Sequence, residues 1–78
     1  MNYGAITQLL QIEGEMEISI KIGTMPQKKM AVKYKHKLPK LGDIIWVYPM
    51  NDKHNLQRVK IDEIKSINGW IVYFAARW

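Results

Sequence analysis

In MEISIKIGTMPQKKMAVKYKHKL, residues 16–38, apolar and polar side chains take turns twice, with a glycine and a proline between the two runs. Met16, Ile18, Ile20 and Ile22 alternate with Glu17, Ser19 and Lys21. Met30, Val32, Tyr34, His36 and Leu38 alternate with Ala31, Lys33, Lys35 and Lys37. A period of two sends one set of side chains to a core and the other to water, so each run reads as a half-buried β-strand. Gly23 and Pro26 supply the break between them.

The same pattern extends outward in both directions. After the break LPKLGD comes IIWVY (44–48), apolar on both faces as a central or sharply curved strand is. Pro49 and the turn-forming MNDKHN close it. Further on, Asn68-Gly69 marks a hairpin, because both residues accept positive φ cheaply. A two-residue loop there pairs Glu63 with Phe74 and Lys65 with Val72, setting charges against an expected core face. A three-residue loop pairs Ser66 with Trp70 and Ile64 with Val72, and is the expectation. One extra residue near Asp62-Glu63, a β-bulge, then returns Val59 and Ile61 to the core face. Upstream, AITQLLQI (5–12) mixes helical and strand spacing; it is short for a stable helix and is read as a strand.

Five or six short strands within 78 residues are too few for a large sandwich. The economical solution is an all-β, strongly bent five- to six-stranded barrel with a C-terminal hairpin, one domain over residues 1–78, in which closure removes exposed edges. Leu38, Leu41, Gly42-Asp43 and the run Ile44-Ile45-Trp46-Val47 resemble the strand entry of SH3-like small barrels. That resemblance implies a glycine that turns tightly before the strand and an aspartate that satisfies nearby backbone donors. SH3-like barrels host nucleic-acid binders, peptide binders and toxin subunits, so the fold leaves the function open.

Composition narrows the classes. With hydrophobic residues at 47%, the chain can fill a core, and without cysteine it has neither a disulfide framework nor a thiolate metal site. No long apolar run is present, and the expected setting is the cytoplasm. Catalysis finds little to use. His36 and His54 lack metal-ligand spacing, and His36, in phase with Val32 and Tyr34, is expected at the edge of the core. Ser19 and Ser66 lie outside any nucleophile elbow, Asp62 and Glu63 point to opposite strand faces, and the five glycines form no phosphate loop. A non-enzymatic binding module without cofactor or metal is the expectation.

The net charge of +5 is concentrated in one place: residues 24–40 hold six lysines and no acid. On a strand, Lys33, Lys35 and Lys37 stand about 7 Å apart, comparable to phosphate spacing. With Lys28, Lys29 and Lys40 they form a candidate stripe for a nucleic-acid backbone, DNA or RNA. Tyr34 and His36 alternate away from it, which favours backbone contact over base stacking. The aromatic rings are expected mainly in the core. The apolar end WIVYFAARW leaves Ile71, Tyr73, Ala75 and Trp78 as a candidate interface for a second copy or a larger protein. The alternative function is therefore a protein-interaction module, such as a small phage or mobile-element adaptor or inhibitor. A nucleotide-binding sponge is a third.

Overall fold

The computed structural model describes residues 15–78, and each alternating run in them finds a partner. Five strands follow in chain order: β1 (Met16–Ile22), β2 (Lys28–Val32), β3 (Ile44–Pro49), β4 (Gln57–Ile67) and β5 (Trp70–Arg77). Each pairs antiparallel with the next, and β5 returns to β1, closing the ring. The closing contact, from Ser19 opposite Val72 to Ile22 opposite Ala75, is parallel. It has to be: in an up-and-down ring with an odd number of strands, the first and last run the same way. The strand read into residues 5–12 lies outside the described residues. No helix among the described residues is long and apolar enough to cross a membrane.

The inward side chains are those that the alternation selects. Ile18, Ile20 and Ile22 of β1 meet Met30 and Val32, Ile45 and Val47, Val59 and Ile61, and Tyr73 and Ala75. Removing such a side chain from water contributes about 1.5–3 kcal/mol, and these residues supply the main apolar core of the barrel.

Three expectations are corrected. The first concerns the second strand, which ends at Val32 rather than Leu38. On one side its partner β1 begins with Met16 opposite Val32, so β1 has no strand residue left to pair beyond that point. Lys33 makes one last contact, its N–H donating to the Trp46 carbonyl at 3.0 Å, and Tyr34 then turns away with φ of 61°. Tyr34, His36 and Leu38 are exposed, not packed in the core.

The second concerns the hairpin. Asn68 and Gly69, at φ of 53° and 81°, form a two-residue turn, so Ile67 faces Trp70 and Ile64 faces Tyr73. With both residues at positive φ, the turn matches the natural twist of the strands, and this outweighs the charge alignment that argued for a longer loop. The bulge is present where expected, with Asp62 inserted between Ile61 and Glu63. As a result Tyr73 and Ala75, expected on an exposed interface, lie in the core, while Ile71 and Trp78 remain exposed. Glu63 and Lys65 look outward, where Lys65 Nζ sits 5.3 Å from the centre of the Phe74 ring.

The third concerns the tryptophans. Trp46, Trp70 and Trp78 are all outside the core, at 46%, 71% and 58% exposure. A ring of five short strands is narrow, and isoleucine, valine and methionine fill it.

Candidate functional site

Exposed indoles are costly to leave in water, so what surrounds them is informative. In β4 the run Gln57-Arg58-Val59-Lys60-Ile61 sends Val59 and Ile61 inward and leaves Arg58 and Lys60 on the outer face. β3 does the same with Ile45 and Val47 inward and Ile44 and Trp46 outward. Register then sets Trp46 opposite Arg58 and Ile44 opposite Lys60. Beyond the end of β5, the Trp78 N–H donates to the Arg58 carbonyl at 2.9 Å, and Arg58 Nε donates to the Trp78 carbonyl at 3.4 Å. On the other side of β3 stands Lys33, bonded to the Trp46 carbonyl.

The outer face thus carries a row across the sheet: Lys33, Trp46, Arg58, Trp78. Cations and rings alternate along it, and each ring has a cation beside it. The Arg58 guanidinium lies 5.9 Å from the centre of the Trp46 ring, and Lys60 Nζ lies 4.5 Å from that of Trp78. Lys33 Nζ lies 4.9 Å from the centre of the Tyr34 ring, which is 65% exposed at the end of the row. An open groove continues from Arg58 and Trp78 to Lys28, Asn55, Gln57 and Arg77. Among the described residues, Lys28, Lys33, Lys60 and Arg77 have no carboxylate partner, while Arg58 is bonded to the main-chain oxygen of Trp78. Their charge is therefore directed at whatever approaches from solvent.

The six lysines singled out from the sequence separate. Lys33 joins the row and Lys28 the groove. Lys29 is drawn to Glu17 at 3.6 Å. Lys35 is held by Asp43 at 3.3 Å, in the loop that replaces the expected strand. Lys37 and Lys40 are exposed on that loop. An evenly spaced strand stripe of Lys33, Lys35 and Lys37 does not form.

The loop returns to β3 through a tight turn. Gly42 takes φ of 85°, the Asp43 N–H donates to the Lys40 carbonyl at 3.0 Å, and the Asp43 carboxylate accepts the Lys40 N–H at 2.9 Å. This is the glycine and aspartate arrangement anticipated from the sequence. The Lys40 N–H, followed by the Lys35 ammonium, holds the Asp43 carboxyl below its ordinary value against the opposing effect of burial. On another part of the outer face the buried Tyr48 hydroxyl donates to Glu15. Burial and this carboxylate push the phenol up to about 12, and the phenol in turn holds Glu15 low.

Sequence reasoning did not single out Trp46, Arg58, Lys60 and Arg77 as site candidates. The signal was present in the alternation of QRVKI, but seeing the row required knowing that β3, β4 and the end of β5 are neighbours. Comparison of the chain with protein-family models, with curated proteins and with solved structures gave no match.

Proposed function

We propose that this protein binds single-stranded nucleic acid on the outer face of β3 and β4, in the manner of a small SH3-like barrel acting without catalysis in the cytoplasm. Trp46 and Trp78 offer ring faces to bases, Arg58, Lys60 and Lys33 take phosphates, and the groove at Lys28 and Arg77 extends the track. The observation that carries the reading is the alternation of ring and cation along one row. Stacking platforms flanked by positive charge are how sequence-tolerant single-strand binders work, because every base has a π-face and every nucleotide a phosphate. A duplex hides its base faces and is expected to bind less well.

The test is titration with mixed-sequence oligonucleotides, following tryptophan fluorescence at several salt concentrations. Three to five engaged cations imply a log–log salt slope of about −2 to −3.5 on a single strand. Arg58→Gln with Lys60→Gln is expected to flatten that slope by about 1.4. Trp46→Ala with Trp78→Ala is expected to weaken binding at least tenfold and leave the slope unchanged, since a stacked base contributes about 1–3 kcal/mol. Full affinity in the folded double tryptophan variant overturns the platform.

One observation favours a second reading, a protein-docking module. Trp70 at the hairpin tip stands between two open grooves, one reaching Ile18, Leu38 and Tyr73, the other Gln27 and Val72. If Trp70→Ser abolishes a protein interaction while nucleic-acid binding is absent, this reading replaces the first.

A further inference from the structure

The long strand β4 is flanked on both sides for only part of its length. Its pairing with β3 runs from Gln57 to Lys60, and Ile61 is held by Gly42 and Asp43. Beyond Ile61 only β5 accompanies it, to the turn at Asn68. Among the described residues, nothing pairs with the other edge of residues 62–66. In a hairpin closed by a two-residue turn, Ile67 and Trp70 exchange hydrogen bonds, as do Lys65 and Val72, and Glu63 and Phe74. Ile64 and Ser66 therefore direct their N–H and carbonyl groups away from β5, to the open edge.

We infer that this edge pairs antiparallel with the same edge of a second copy, centred on Ile64. Charge complementarity selects the partner. A two-fold axis at Ile64 sets Ile64 opposite its own counterpart, Glu63 opposite the partner's Lys65, Lys65 opposite the partner's Glu63, and Ser66 opposite the partner's Asp62. Every charge meets its opposite or a hydroxyl. A parallel or shifted pairing loses this match. Within one chain Glu63 and Lys65 already lie 3.5 Å apart on the outward face, so the dimer extends that pair into a four-charge cluster. Ile64, half-exposed in the single chain, gains an apolar partner. The pairing spans residues 62–66 and stops there, because Ile61 is already bonded to Gly42 and Asp43. The interface is isologous and closes at two copies, and the row of Trp46 and Trp78 in each copy lies outside the paired segment 62–66.

The charges make the test decisive. Sedimentation of the whole chain across a concentration series is expected to show a monomer–dimer equilibrium. Glu63→Lys and Lys65→Glu each set like charges opposite one another twice, and each is expected to raise the dimer dissociation constant about tenfold. Mixed in equal amounts, these two variants are complementary and are expected to form the heterodimer in preference to either homodimer. The double swap Glu63→Lys with Lys65→Glu restores the parent dimer. Both sites are exposed, and unchanged melting shows that the fold is kept. A parent that remains monomeric at the highest attainable concentration overturns the inference. So does a dimer that is indifferent to both single substitutions, which places self-association on another surface.

Discussion

Tyr34 holds a backbone conformation that costs a non-glycine residue about 1–2 kcal/mol, and it does so with its ring in water beside Lys33. Strain retained in an exposed aromatic residue supports its place in the proposed binding surface. Tyr34→Gly relieves the strain but adds freedom to the unfolded chain. It is expected to leave stability equal or raised by up to about 1 kcal/mol while weakening oligonucleotide binding severalfold. Denaturant midpoints and the same fluorescence titration check both halves. Two other residues set the pH limits. Asp43 has a folded value below its ordinary 3.8, so its stabilisation is complete above that value and is lost as pH falls through the lower, folded one. Asp43→Asn is expected to flatten the acid limb of the stability profile and to cost about 1 kcal/mol near neutrality. Tyr48, raised from 10.0 to about 12, behaves in the opposite sense: its contribution is complete below 10.0 and is lost as pH rises toward 12. Ultraviolet titration of tyrosinate is expected to show this delayed ionisation, and Glu15→Gln to advance it.

Among the elements, the β4–β5 hairpin depends on its bulge. Asp62 changes which face of β4 looks inward, so that Ile61 and Ile64 can both lie on the face of Ala75 and Tyr73. Deleting Asp62 forces either Ile61 and Val59 or the whole tip to turn over and is expected to prevent folding. Asp62→Ala, which keeps the extra residue, is expected to change stability by less than about 0.5 kcal/mol; circular dichroism melting separates the two. The same hairpin shows how far the sequence could be read. Its turn and its bulge were both legible, because Asn-Gly chemistry is local and alternation fails visibly at Asp62-Glu63. The loop length was not, because WIVYF is apolar on both faces and no alternation identifies the inner one. The false extension of β2 has a similar origin: lysine and apolar residues alternate to Leu38, but a strand persists only while it has neighbours. The candidate site was legible in its cations at Lys28 and Lys33. Trp78 was legible only as an interface residue, and Trp46, Arg58 and Lys60 were illegible, because their proximity depends on pairing among three different elements.

The molecule as a whole is stabilised by contacts between strands distant in sequence. Ile20 is fully buried in β1, which bridges the two ends of the ring. Ile20→Ala is expected to cost about 2–5 kcal/mol, a large share of the total for a domain of this size, and to lower the melting temperature accordingly. Closing β1 onto β5 joins residues more than fifty positions apart. Folding is therefore expected in milliseconds to seconds, as in other non-local β-topologies, when followed by stopped-flow tryptophan fluorescence.

The parallel seam between β1 and β5 also gives the molecule a direction of strength. β1 is entered from one rim of the ring and β5 leaves at the other, so tension applied between Glu15 and Trp78 slides the two strands along one another. All the hydrogen bonds of the seam then bear load at once. Tension applied between Gln57 and Arg77, at the open end of an antiparallel pair, peels bonds apart one after another. Pulled by its ends the barrel resists as a bolt in shear, and pulled across its hairpin it opens as a zip.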